Sequence, residues 1–140
     1  MPAVNNSVLA LDVGEKRVGV ALTSFIARLP SPKTTLLRGP DFFDKLGEII
    51  TNESVSDIVI GLPRGLEGQT TDQTITIADF TRELKTHFDL PIHFQDEALT
   101  SKQAEQELGS RRKAYDKKDI DALAATYILQ DWLNEHEGSL

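Results

Sequence analysis

The stretch Ser7-Val-Leu-Ala-Leu-Asp12-Val-Gly14-Glu-Lys16-Arg17-Val-Gly19-Val-Ala-Leu22 sets two β-rich runs on either side of a short turn containing glycine. It reads as two adjacent antiparallel strands joined by a hairpin. Asp12 stands at the end of the first apolar run. Desolvating a carboxylate without a partner is costly, so an acid in that position implies one. A divalent cation shared with other carboxylates is one candidate. The turn's own backbone is the other, because Asp often caps a turn through its side chain. This stretch alone leaves both open.

Beyond the hairpin, helices and strands alternate. Lys33–Leu37 reads as a third short strand, set off by Pro30 and Pro32. Phe42–Ile50 has helical spacing, with Phe43, Leu46, Ile49 and Ile50 on one stripe and Asp41 as N-cap. Asp57–Leu62 is a continuous apolar run of the kind buried on both faces of a sheet. Residues 63–69 read as a loop, Thr74–Phe88 as a helix with Ile77, Phe80, Thr81 and Leu84 inward, and Leu90–Gln95 as another strand. Thr100 and Gln103 have the spacing of a capping box before a short helix to Leu108. Residues 109–117 are a polar loop, and Asp119–Leu133 is the last helix, with Ile120, Leu123, Ala124 and Tyr127 toward the core. An opening meander followed by alternating helix and strand predicts an α/β domain. Its sheet is mixed, with antiparallel opening strands, later parallel strands and flanking helices.

Length and composition bound the function. A chain of 140 residues fits one domain, residues 1–140, and can bury a sizeable core. Hydrophobic content of 39% and charged content of 26% are ordinary globular values. No apolar stretch approaches the roughly 18 residues needed to span a bilayer. The first residues lack the basic and apolar regions of a signal peptide. Cysteine is absent, which removes disulfides and thiolate metal sites. A soluble cytoplasmic protein is expected. The net charge of −7 opposes wholesale nucleic-acid binding, which needs Lys and Arg near phosphates. One local basic run, Arg111-Arg112-Lys113-Ala-Tyr115-Asp-Lys117-Lys118, can overcome that, although such runs are more often solvated surface.

Ligands of mixed sheets gather at the carboxyl ends of the strands. Asp12 lies at such an end, as does Asp96-Glu97. The last helix brings Asp121 in its first turn, on the side of Ala125, Ile128 and Trp132. Each acid has a plain account of its own: a turn cap for Asp12, dipole compensation for Glu97 and Asp121. Their convergence on one sheet edge is the sharper observation. Lys16 and Arg17, beside Asp12, can steady a phosphate, though a charged turn is the simpler account. His87, His93 and His136 lack zinc-type spacing.

The residues resemble those of the YqgF family, also called RuvX. Leu9-Ala-Leu-Asp12-Val-Gly14-Glu-Lys16-Arg17-Val-Gly19-Val-Ala21 is similar to its opening motif, and Ile60-Gly61-Leu62-Pro63 with Gly68 and Phe80 to its second. Asp96-Glu97-Ala98-Leu99-Thr100-Ser101 with Ala104 resembles the third, and Lys117–Gln130 the fourth. The resemblance covers most of the chain in order. It implies an RNase H-like fold and a nuclease that matures the 5′ end of 16S ribosomal RNA, described in older usage as Holliday-junction-resolvase-like. It also implies Asp12, Glu97 and Asp121 as catalytic acids. Ala98 and Asp119 depart from the pattern, standing where the family usually places Arg and Gly.

Phosphodiester hydrolysis needs an activated water and neutralised charge on the scissile phosphate. Two Mg²⁺ or Mn²⁺ ions held by carboxylates roughly 3.5–4 Å apart supply both. The expected protein is a metal-dependent nuclease, monomeric or homodimeric, acting on precursor ribosomal RNA. Lys16, Arg17, Arg111, Arg112, Lys113, Lys117 and Lys118 are its candidate substrate contacts. Its rivals are a resolvase of branched DNA, a non-catalytic RNA-binding or assembly factor, and an actin-like ATPase lobe, for which the chain is too short.

Overall fold

The computed structural model describes residues 6–62, 72–96 and 117–135. Strands β1 (Ser7–Val13) and β2 (Arg17–Ser24) form the expected antiparallel pair, in a register that sets Asp12 opposite Gly19. The Gly14 N–H closes the turn by donating to the Arg17 carbonyl at 2.8 Å. Strand β3 (Ser31–Leu37) joins β2 antiparallel. On the other side of β1, β4 (Val55–Leu62) runs parallel to it, and β5 (Ile92–Asp96) runs parallel to β4. The order β3-β2-β1-β4-β5 is the mixed sheet that the alternation implied.

Helices α1 (Phe42–Asn52), α2 (Asp72–His87) and α3 (Lys117–Glu135) cover the sheet. Alternation along the strands sorts the core by face. Leu9, Leu11, Val18, Val20, Ile58 and Ile60 meet Phe42 and Leu46 of α1 and Ile77, Phe80 and Leu84 of α2. Val8, Ala10, Ala21 and Val59 meet Ala125, Ile128, Leu129, Trp132 and Leu133 of α3 on the opposite face. Asp12 shares the parity of Val8 and Ala10, so it belongs to the α3 side.

Several boundaries and faces differ from the sequence reading. Asp12 is not the last strand residue, because Val13 follows it, only 5% exposed. Strand β3 begins at Ser31 and takes in Pro32, which an edge strand tolerates, with a register shift between Val20 and Ala21. Strand β4 starts at Val55, and β5 is displaced to Ile92–Asp96. Asp41 occupies the N-cap of α1 without a capping side-chain hydrogen bond, and Phe42 rather than Phe43 is the buried aromatic. In α2, Ile77, Phe80, Thr81 and Leu84 are all buried as expected. Helix α3 begins at Lys117, and its sheet-facing stripe is the Ala125–Ile128–Trp132 side. Ile120, Leu123, Ala124 and Tyr127 instead form a small separate cluster. Ala122 to Ala125 are all buried, and a helix apolar around its girth offers periodicity little to choose by. The expected loop at 63–69 and the short helix from Thr100 to Leu108 lie outside the described residues.

Gly19 sets how close α3 comes. A Cβ placed on it would overlap the backbone carbonyl of Asp121 and lie 2.9 Å from the Ala122 nitrogen. Helix backbone therefore rests on strand backbone there. At the far end of α3, the Arg28 guanidinium donates to the Leu133 carbonyl at 3.0 Å. That supplies a cation to a helix C-terminus with no basic residue in its own last turn.

Gly19→Ala should lower stability by about 3 kcal/mol, the upper end of overpacking costs because backbone must move. Thermal melts should show a loss of about 10 °C. Unchanged melting would mean that α3 does not dock on Gly19. A second test concerns Asp131, whose carboxyl is pushed above its ordinary range by burial and by nearby Glu135. The folded chain then holds that proton more tightly than the unfolded chain, so this contribution is present at low pH and is lost as pH rises through the folded value. Asp131→Asn should melt higher than wild type at about pH 7 and lose that advantage near pH 3.

Candidate active site

Sheet register gathers the site along one level. Asp12 is opposite Gly19 of β2. On the other side, Leu11 pairs with Ile60, which brings Gly61 to the Asp12 level, and Gly61 pairs with Gln95 of β5. Asp12 thus has a glycine beside it on both neighbouring strands. The sheet surface at this level carries no side chain between Asp12 and Gln95, nor beyond Asp12 at Gly19.

Above this lane lies α3. Asp121 sits over Gly19, on the same helix side as Ala125, Ile128 and Trp132. Opposed residues in an antiparallel pair have Cα atoms about 5 Å apart, so Asp12 is one interstrand spacing to the side of the glycine on which Asp121 rests. Because α3 starts at Lys117, Asp121 falls beyond the first turn rather than within it. The helix-dipole account of this acid weakens accordingly, since that effect fades after one turn.

Arg17 opens β2 on the α3 side, with the parity of Gly19 and Ala21. Its Nε–H donates to Asp121 Oδ2 at 3.1 Å. The two side chains are 30% and 27% exposed, so the pair sits at the rim of the site in reach of water. Lys16 is exposed at the turn, and its carbonyl accepts from the Arg38 N–H at 2.8 Å. The Arg38 side chain donates to the Gly14 carbonyl at 3.0 Å, which ties the turn to the end of β3.

Glu97 follows Asp96, the last residue of β5, and lies outside the described residues together with Arg111, Arg112 and Lys113. Lys117 and Lys118 form the start of α3. Among the described residues, no group of three His, Asp or Glu side chains is gathered closely enough to hold a metal ion. Asp12 and Asp121 bring carboxylates, hard oxygen donors, to the α3 face of the sheet. That donor set suits Mg²⁺ or Mn²⁺ rather than a soft metal. The described histidines stand elsewhere: His87 stacks on Phe43 at 4.1 Å, and His93 pairs with Asp57 at 2.9 Å.

Two residues of this level escaped the sequence reading as site components. Gly19 carried a signal, because a glycine inside a strand marks a close backbone approach. Gln95 is only 6% exposed. His93, two residues earlier, lies 5.0 Å from Trp132 of α3, so alternation places Gln95 on the α3 side as well.

Comparison with known proteins identifies the chain's relatives. The family model described as "RuvX: Holliday junction resolvase" matches residues 6–135. A Maridesulfovibrio salexigens protein named "Putative pre-16S rRNA nuclease" is 42% identical over 132 residues, covering 90% of this chain and 96% of its own. A Crocosphaera subtropica protein of the same name is 39% identical over 138 residues, covering 96% of each. Among solved structures, T. thermophilus RuvC in complex with a Holliday junction superposes with a TM-score of 0.53 at 12% identity, over 95% of this chain and 96% of that one. Fowlpox virus resolvase with its junction DNA gives the same TM-score at 10% identity, over 96% and 99%. These two likenesses establish the fold, an α/β arrangement of the RuvC, RNase H-like kind. With a family model spanning nearly its whole length and relatives this similar, the chain belongs to the RuvX family.

Proposed function

We propose that this chain is a divalent-metal-dependent nuclease whose substrate is precursor 16S ribosomal RNA. Asp12, Glu97 and Asp121 are its metal-holding acids. The observation that carries the reading is Gly19, which lets α3 set Asp121 beside the strand position opposite Asp12. Family membership supports phosphodiester hydrolysis, and the names of the relatives support the RNA.

In this reading the fold acts chiefly by positioning. Asp12 is fixed by strands on both sides, and Asp121 by the helix seated on β2. Glu97 follows the end of β5, the strand beyond β4. Bound Mg²⁺ or Mn²⁺ would activate water and neutralise charge on the scissile phosphate. Buried Gln95, on the same level of the sheet, offers amide donors for a phosphodiester. Lys16 and the basic residues Arg111, Arg112, Lys113, Lys117 and Lys118 would track the backbone of the substrate, giving a net-acidic chain a local positive surface.

The deciding experiment incubates the protein with precursor 16S RNA and, separately, with a four-way DNA junction, the substrate that the family description names. Each is tested with Mg²⁺, Mn²⁺ or EDTA. Cleavage of the RNA should require metal and be abolished by Asp12→Asn. Undiminished cleavage by that variant or in EDTA would rule out the mechanism, and cleavage of the junction alone would reassign the substrate. Clustered carboxylates repel when no cation is present, so Asp12→Asn should melt a few degrees above wild type in EDTA, for a relief of about 1 kcal/mol. Metal should raise the melting temperature of wild type more than that of the variant. Asp121→Asn should gain less in EDTA, because it also gives up the Arg17 pair. Replacing Arg111, Arg112 and Lys113 with Ala should weaken RNA binding and flatten its salt dependence by about 0.7 in log–log slope per lost phosphate contact.

A further inference from the structure

We infer that Arg17 is a resident counter-ion of the acid site, one that competes with a divalent cation for Asp121. The inference rests on the metal-site reading above and adds to it a residue that sets metal affinity.

Two carboxylates brought to one face repel unless a positive charge stands near them. Among the described residues, Arg17 is the cation that the fold places there. It lies on the α3 side of β2, two residues before the glycine on which Asp121 rests, and donates from Nε to Asp121 Oδ2 at 3.1 Å. A guanidinium stays protonated wherever carboxylates are ionised, so this countercharge is permanent. The bond is nonetheless displaceable. Its partners are 30% and 27% exposed, and exposed or part-exposed pairs are held weakly. The oxygen that Arg17 occupies belongs to the carboxylate proposed to take the metal. An ion binding there must displace the guanidinium or tolerate its charge, and either costs affinity. Arg17 therefore stabilises the metal-free fold and weakens metal binding through the same contact.

Mn²⁺ binding to the full chain, followed by the electron paramagnetic resonance of free Mn²⁺ at low ionic strength, tests this directly. Arg17→Gln and Arg17→Met, the latter keeping an aliphatic stem, should each bind Mn²⁺ about five- to tenfold more tightly than wild type, as expected for removing a neighbouring unit charge at a part-exposed site. Arg17→Lys, which keeps the charge, should stay within about twofold of wild type. In EDTA the two neutral variants should melt below wild type, and saturating Mn²⁺ should close or reverse that gap. A residue with a merely structural role would keep the gap constant. Asp12→Asn supplies the baseline. Asp12-dependent Mn²⁺ binding that the neutral Arg17 variants leave unchanged or weaken would overturn this inference alone. Absence of Asp12-dependent binding in wild type and in both neutral variants would overturn the metal-site reading, and this inference with it.

Discussion

A helix packed on a sheet is ordinarily held off by a layer of side chains from both elements. At Gly19 that layer is missing, and the backbone of α3 at Asp121 and Ala122 rests on the backbone of β2. The rest of the site geometry depends on this contact. It fixes the height of Asp121 above the sheet and aligns it with the strand position opposite Asp12. It also puts Asp121 within reach of Arg17, two residues earlier on the same strand. Strand β2 holds α3 at both ends: Arg17 pairs with Asp121 near the start, and Arg28, just past the strand, donates to the Leu133 carbonyl near the finish. Between these two contacts Trp132, Ile128 and Leu129 bury their side chains against Val8, Ala10, Ala21 and Val59. Small residues at Ala10 and Ala21 admit the large ones on the helix, so the close seating at Gly19 and the burial of Trp132 are parts of one fit.

The strand hairpin was legible because two local rules agreed there, β-rich composition on both sides of a glycine turn and a short gap between the two runs. The later parallel strands were legible as apolar runs too short for helices. The face of α3 was harder. Ala122, Leu123, Ala124 and Ala125 are all buried, so the usual contrast between an apolar stripe and a polar one is lost. The stripe containing Asp121 was the correct one, and the acid itself obscured it, because a carboxylate reads as a solvated position. Edge effects account for β3, where Pro32 looked like a boundary but sits inside a strand that, among the described residues, has no neighbour on its outer side.

Within the site, the acids could be picked out one at a time, whereas their relations could not. Asp12 stood out as a carboxylate in an apolar strand. Arg17 read as one charged residue of an exposed turn, and nothing local to it indicates a partner 104 positions away. Gly19 was quoted within a motif, yet its physical role appears only when the helix that needs the space is placed on it. Gln95 was passed over because one polar residue in a short strand is unremarkable until burial shows which face it is on. Local patterns mark residues with unusual chemistry. Register and helix seating decide which of them meet.

The glycines beside Asp12 shape what such a site can do. A carboxylate on a central strand normally stands among neighbouring side chains that crowd it or desolvate it. Here both lateral neighbours are glycine. One is covered by α3, whose backbone brings Asp121, and the other lies toward Gln95. Asp12 itself is half-buried, in a strand whose residues Val8 to Leu11 are fully buried. A central acid, a second acid seated by a glycine contact and an arginine at the rim together carry a net charge of −1, so Arg17 offsets only part of the acid charge at this level.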